Sequence, residues 1–263
     1  MSDYLESLFN LGGKTALVTG GGKGIGRMIA EALLQAGARV YISSRSADDC
    51  QAAASEMAEL GDCRAFPHDL SRIENIEALA ADIESAGHGL DILVNNSGAT
   101  WGAPLEEFPE SGWDKVMDLN VKSPFFIVQK LLPLLKASGT QEAPSRVINI
   151  SSVAGIVAGS QSAYSYMASK AAISHLTRGL AADLAKDHIT VNAIAPGFFA
   201  SKMTRHLTSE EGIEFMRSVT PLGRIGEPKD VGGLALFLCG ASGAFMTGST
   251  IPLAGGMDLG AGY

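Results

Sequence analysis

The chain has 263 residues, with 28 acidic against 20 basic side chains and a net charge of −8. That length lies near the upper limit of what one hydrophobic core serves, and no Pro-, Ser- or charge-rich stretch divides it, so a single domain over 1–263 is expected. The acidity, with no basic stripe among aromatics, disfavours nucleic acid as a partner, and three scattered cysteines, Cys50, Cys63 and Cys239, read as buried thiols of a reduced compartment rather than a disulfide framework or metal site.

The opening residues show neither a basic segment nor an apolar run, so no signal or transit peptide is expected and a cytoplasmic location follows. Short apolar, β-branched runs predict strands at Thr15–Thr19, Arg39–Ser43, Arg64–Pro67, Asp91–Asn95, Arg146–Ile150, Thr190–Ala195 and Thr250–Leu253. Segments of helical spacing separate most of them. The first carries Ile25, Met28, Ile29, Ala32 and Leu33 on one face and ends at Gly37, a left-handed cap. Buried strands alternating with helices predict an α/β fold: a Rossmann-type, doubly wound parallel sheet of about seven strands with helices on both faces. Val231–Met257 is uncharged and long enough to span a bilayer, but Gly240, Ser242, Gly243, Gly248, Ser249 and Pro252 interrupt it. It reads as a buried helix, a turn and a buried strand, with no membrane partner.

In an open parallel sheet, ligands bind outside the carboxyl ends of the strands where the winding reverses. After the first strand, Thr19-Gly20-Gly21-Gly22-Lys23-Gly24-Ile25-Gly26 opens a helix, so backbone N–H groups can face a pyrophosphate. The second strand ends in Ser43-Ser44-Arg45, with no carboxylate to hold a ribose 2′-hydroxyl. Arg45 offers a planar cationic fork, Ser44 a hydroxyl and Lys23 a second cation, a set that favours NADP(H). After the third strand, in His68-Asp69-Leu70, the Asp69 carboxylate can accept from an adenine amino group or cap the next helix. After the fourth, Asn95-Asn96-Ser97-Gly98 can pass beside the cofactor or simply form a turn.

The spacing Tyr166-Met-Ala-Ser-Lys170 places a phenol and an ammonium on one helix face. The cation, together with the positive charge of an oxidised nicotinamide ring, is expected to lower the phenol's pKa and make it a usable proton donor to a carbonyl oxygen. Ser152, just past the fifth strand, can hold that oxygen, with Ser151 as the nearer rival. Asn120, inside a long helical stretch running to Leu135, can bend the helix and hold a water that relays protons to Lys170. Tyr164 cannot share the face of Tyr166 and reads as a packing residue.

Taken with Asn192-Ala-Ile-Ala-Pro-Gly197, these motifs resemble the short-chain dehydrogenase/reductase family along essentially the whole chain. The resemblance implies a seven-stranded Rossmann-type fold, an Asn120-Ser152-Tyr166-Lys170 tetrad, hydride exchange with a nicotinamide, and a homotetramer. It also implies that Tyr166, Lys170, Pro196, Gly197, Phe198, Phe199, Ser201 and Met203 contact the cofactor, with Gly20, Gly22, Lys23, Gly24, Ile25, Gly26, Ser44, Arg45, Asp69, Leu70, Asn96, Ser97 and Gly98 around its other half. Ser152 precedes Tyr166 by fourteen residues where the family commonly has thirteen, which keeps Ser151 in play. Ser97 and Ala254 replace a common alanine and a common acidic residue.

Substrate choice should reside in the loop segment 198–226, whose apolar residues suggest a chamber walled also by Trp101, or a lid anchored by its apolar face. Trp101-Gly102-Ala103, Gly112–Met117 and Met203–His206 resemble the 3-oxoacyl-[acyl-carrier-protein] reductase branch, rhamnolipid-associated type. This implies a small-molecule carbonyl substrate, a 3-oxoacyl thioester or similar lipophilic ketone. Steroid, polyol or xenobiotic carbonyl reduction is the alternative within the enzyme class, and a non-catalytic NADPH-binding sensor the alternative outside it.

Overall fold

The computed structural model describes residues 3–158, 162–200 and 209–259. Every expected strand run forms a strand: β1 (Thr15–Thr19), β2 (Arg39–Ser43), β3 (Cys63–Ala65), β4 (Ile92–Asn95), β5 (Ser145–Ile150), β6 (Ile189–Pro196) and β7 (Thr250–Leu253). They form one parallel sheet in the order β3-β2-β1-β4-β5-β6-β7. After β3 the chain returns across the sheet to lie on the other side of β1 as β4. The winding reverses there, and a crevice opens at the carboxyl ends of β1 and β4.

Side chains alternate along each strand between two cores. Ala16, Val18, Val40, Ile42, Ile92 and Val94 pack under α2 (Gly24–Gln35), α3 (Ala47–Met57) and α9 (Pro228–Cys239), while Leu17, Tyr41 and Leu93 pack under α4 (Ile73–Ser85), α6 (Ser123–Ser138) and α7 (Tyr164–Leu184). Both faces of the sheet are therefore covered, which is why its strands read as near-continuous apolar runs. No helix among the described residues is long and apolar enough to cross a membrane, and the uncharged stretch 231–257 resolves into α9, a turn and β7.

β4, β5 and β6 differ from their expected bounds by no more than a single residue at either end, and other features differ more. β3 is Cys63–Ala65 rather than Arg64–Pro67, because it is an edge strand paired only to Val40, Tyr41 and Ile42, and Pro67 has no N–H for a ladder. In α2 the fully buried face is Gly26, Ile29, Ala30, Leu33 and Leu34; Ile25 and Met28 lie at its margin, and Ala32 meets α9 at Gly232, where an added Cβ would stand 2.9 Å away. The long helix through Asn120 is split into α5 (Glu110–Met117) and α6 by a π turn at Asp118–Lys122. Within the segment 198–226 the structure places α8 (Glu210–Ser218), started by Ser209, whose hydroxyl accepts from the Gly212 N–H at 3.1 Å.

Candidate active site

The loop from β1 into α2 is shaped by backbone that only glycine adopts freely: Gly20 and Gly24 have φ of +66° and +53°. A Cβ at Gly20 would stand 2.7 Å from Asn96 Nδ2, and one at Gly26 would run into that amide and the Gly20 carbonyl. Asn96 donates to the carbonyls of Thr19 and Gly20 at 3.0 and 3.2 Å, while Thr19 Oγ1 accepts the Asn96 and Ser97 N–H groups, each at 3.0 Å. The loops after β1 and β4 are thereby stitched together across the crevice. The side chain of Asn96 is spent on this stitch, leaving Ser97 and Gly98 to face outward.

Lys23 is the N-cap of α2 but makes no side-chain cap bond, so the first-turn N–H groups keep their capacity for an anion. Together with the Cβ-free surface at Gly20, Gly24 and Gly98, this fits a dinucleotide pyrophosphate laid over the crevice. Gly22 turns its Cα toward α3, where a Cβ would meet Ala53 Cβ at 3.4 Å. Past β2, Arg45 is exposed and has no ion-pair partner among the described residues. Ser44 Oγ donates weakly to the Ser46 carbonyl at 3.4 Å. Lys23 is ion-paired to Asp49.

Asp69 Oδ1 accepts from the N–H and hydroxyl of Ser71 at 3.2 and 2.8 Å, so it forms the turn before α4, whose N-cap is Arg72. The Leu70 side chain is core, with Ile76 and Leu79, and only its backbone can face a ligand. Ile25 packs against the other core.

On the chemical side, Tyr166 and Lys170 share one face of α7, with Lys170 Nζ 5.6 Å from the Tyr166 ring centroid. Lys170 Nζ also donates to the Ile150 carbonyl at 2.7 Å. Gly98 brings the cofactor crevice to this point, since a Cβ there would lie 3.3 Å from Asn120 Oδ1 and 3.8 Å from Lys170 Nζ. The two serines separate by orientation. Ser151 Oγ donates to the Lys170 carbonyl at 2.8 Å and meets Ser174 Oγ at 2.7 Å, whereas Ser152 starts a short turn, its hydroxyl accepting from the Ala154 N–H at 3.2 Å and facing the Tyr166 phenol. The loop between β5 and α7 docks closely, because a Cβ at Gly155 would lie 2.7 Å from the Ala171 nitrogen.

Burial raises the Tyr166 pKa above its ordinary value of 10, with the Ser152 side chain pulling the other way, and lowers Lys170 to about 8. The ammonium by itself therefore does not lower the phenol. Lys170 lies over the ring face and is bonded to a carbonyl, so desolvation outweighs it.

Asn120 is buried in the π turn, where the Ser123 N–H reaches back five residues to the Asp118 carbonyl. Its Oδ1 accepts from the Ala99 N–H at 2.8 Å, and its Nδ2 donates to the Ala99 carbonyl and Ser169 Oγ, each at 2.9 Å. Both amide protons are used, so the expected water cannot be held by them. The Asn120 backbone carbonyl cannot pair with residue 124, a proline without an N–H. Ser169, which donates on to the Tyr166 carbonyl at 2.7 Å, was not singled out from sequence; its position three residues after Tyr166 on the buried face was the available signal.

Pro196 ends β6, and Gly197 follows it against Ala254. Phe199 is a core residue whose ring fills the space over Gly226, so its side chain faces away from a ligand at the sheet's edge. Ser201 and Met203 lie outside the described residues. Trp101 lies on Gly112 of α5 with Lys115 Nζ 5.2 Å from its ring, anchoring the loop after β4. Tyr164 packs edge-on to Phe108, as a packing residue should.

A family model described as Enoyl-(Acyl carrier protein) reductase matches residues 20–258. The chain belongs to the short-chain dehydrogenase/reductase family. As a short-chain dehydrogenase/reductase it is an oxidoreductase with a nicotinamide cofactor. Among members of the family, it is 51% identical to a rhamnolipids biosynthesis 3-oxoacyl-[acyl-carrier-protein] reductase of Pseudomonas aeruginosa, over 97% of this chain and 100% of that one. It is 38% identical to a tropinone reductase homolog of Arabidopsis thaliana, over 97% and 96% of the two chains. The solved Pseudomonas aeruginosa RhlG/NADP active-site complex superposes with a TM-score of 0.94 at 50% identity, covering 96% of this chain and 99% of that one.

Proposed function

We propose that the chain is an NADP(H)-dependent reductase that converts the ketone of a 3-oxoacyl thioester, or a similarly lipophilic ketone, to a secondary alcohol. One observation carries the chemistry: the Tyr166 hydroxyl faces the Ser152 side chain, which acts to lower its pKa, while Lys170 Nζ lies over the same ring, beside the crevice at Gly98. The choice of NADP(H) is supported by Arg45 and Lys23, by the lack of a carboxylate in Ser43-Ser44-Arg45, and by the relative solved with NADP. The substrate class is supported by the full-length likeness to the rhamnolipids biosynthesis reductase.

The nicotinamide, when bound, supplies or takes up a hydride. Gly20, Gly22, Gly24, Gly26, Ser97 and Gly98 would bind its dinucleotide through backbone, and Pro196 and Gly197 would lie along its far edge. Ser152 holds the substrate carbonyl oxygen and stabilises charge growing on it. Tyr166 donates its hydroxyl proton to that oxygen, and the Lys170 ammonium stabilises the resulting phenolate. Lys170 then returns a proton to the phenolate, and a water held at the Asn120 carbonyl would resupply Lys170 from solvent. A homotetramer in the cytoplasm completes the reading, supported by the exposed apolar side chains Phe125 on α6 and Phe245 after α9.

Initial rates with NADPH and NADH on a 3-oxoacyl thioester, a bicyclic amino ketone and a sugar alcohol test the reading. The 3-oxoacyl compound with NADPH should be fastest. Robust sugar-alcohol oxidation with no 3-oxoacyl reduction would overturn it.

A further inference from the structure

Lys23 and Asp49 form an ion pair between the glycine loop and the first turn of α3. Lys23 immediately precedes α2, Asp49 sits in the first turn of α3, and Arg45 precedes the Ser46 cap of α3. The glycine loop packs directly on that turn, since a Cβ at Gly22 would lie 3.9 Å from the Asp49 carbonyl. The end of β2 is where an adenosine ribose lies in this fold. Its two cations are therefore not equivalent, because Arg45 projects without an ion-pair partner among the described residues and Lys23 is already engaged.

We propose that Asp49 sets the degree to which the chain discriminates NADP(H) from NAD(H), by drawing Lys23 away from the 2′-phosphate and standing as a carboxylate beside it. This rests on the NADP(H) reading above. The side chains of Lys23 and Asp49 are 52% and 51% exposed, and an exposed pair of this kind is worth at most about five-fold in an equilibrium constant. A dianionic phosphate can therefore recruit Lys23, but against Asp49, and a cofactor without the phosphate pays no such penalty. Charge repulsion between a carboxylate and a phosphate several ångströms apart in a wet site adds a further effect of about the same size. Asp49 also favours the positive N-terminus of α3, which accounts for a carboxylate there and makes Asn the right replacement, since Ser46 keeps the cap by accepting from the residue 49 N–H.

The test is a set of dissociation constants for NADPH and NADH, read by nicotinamide fluorescence or calorimetry without substrate, for the wild type, Asp49→Asn, Lys23→Met and the double variant. Asp49→Asn should tighten NADPH about three- to ten-fold and leave NADH within about two-fold. The gain should shrink in the Lys23→Met background and in 0.5 M salt, the concentration at which surface charge effects are largely screened out beyond roughly 4 Å. An unchanged or weakened NADPH affinity in Asp49→Asn would show that Asp49 is neutral or positions Lys23 for the phosphate, and would overturn the proposal. Equal tightening of NADH would overturn it too. A wild type with no preference for NADPH would remove the cofactor reading itself, whereas a retained preference with an unresponsive Asp49→Asn removes this inference alone.

Discussion

The Asn120 amide donates to the Ser169 hydroxyl across 2.9 Å, a buried bond that ties the π turn to the helix turn carrying Tyr166 and Lys170. The Ser169 hydroxyl in turn donates a hydrogen bond to the Tyr166 carbonyl, so the three groups hold one another.

Ser169→Ala should therefore cost more than a missing methyl-sized group. It leaves one Asn120 amide proton buried without an acceptor, at about 1–3 kcal/mol. For a chain of this size each kcal/mol is roughly 2–4 °C of melting temperature. Calorimetry should show a fall in that range, and turnover should drop with it because the π turn and α7 are no longer held in register. A variant that melts and turns over like the wild type would show that the link has no structural role.

Tyr166→Phe keeps the ring beneath Lys170 and deletes only the proton donor. Turnover should fall by at least about a hundred-fold, the usual contribution of a positioned general acid, while NADPH still binds. Ser151→Ala should leave turnover far less affected than Ser152→Ala, because the Ser151 hydroxyl is committed to Lys170 O and Ser174. Equal losses in the two serine variants would mean that their orientations exchange during the reaction.

Much of this was readable from sequence for physical reasons. A parallel strand buried on both faces has to be apolar throughout, so β1 and β2 match their expected residues to the position and β4, β5 and β6 differ by no more than a single residue at either end; of the two edge strands β7 matches and β3 is displaced. The four proposed catalytic residues could be singled out because the Tyr166–Lys170 spacing is a helix property, Ser152 follows a strand end, and Asn120 is an asparagine inside an otherwise helical run that it can bend. Asn96 closing the glycine loop, Asp49 holding Lys23 and Ser169 joining Asn120 to α7 were not. Each joins segments 20 or more residues apart, through side chains whose local pattern is that of an ordinary turn or helix. The rise of the Tyr166 pKa was not legible for a related reason: spacing places the cation near the ring but says nothing about how much water is excluded.

Gly26→Ala and Gly22→Ala separate steric need from loop composition. The added methyl at Gly26 meets a backbone carbonyl and the Asn96 amide that closes the loop, neither of which can yield cheaply, and overpacking of this kind costs about 1–3 kcal/mol. At Gly22 the nearest atom is Ala53 Cβ at 3.4 Å and the backbone is not left-handed, so the melting temperature should stay within about 2 °C. Equal destabilisation at the two positions would contradict the stitched-loop geometry.

Lys170 makes activity and stability respond to alkali in opposite directions. Burial lowers its pKa from an ordinary 10.5 to about 8, so the folded protein loses this proton at a pH where the unfolded chain keeps it. Between about 8 and 10 the unfolded state binds more protons, and stability contributed by this site must rise with pH, by up to about 3 kcal/mol over the full shift. Above 10 the raised Tyr166 pKa works the other way, since there the folded state is the one that keeps its phenol proton. Carbonyl reduction needs the ammonium opposite the phenolate, so turnover should decline as pH passes about 8 while the chain becomes harder to unfold. Chemical denaturation across pH 7.5–10, beside a turnover profile, checks this, and Lys170→Met should flatten the stability rise. A rise that persists in Lys170→Met would assign the titration to another group.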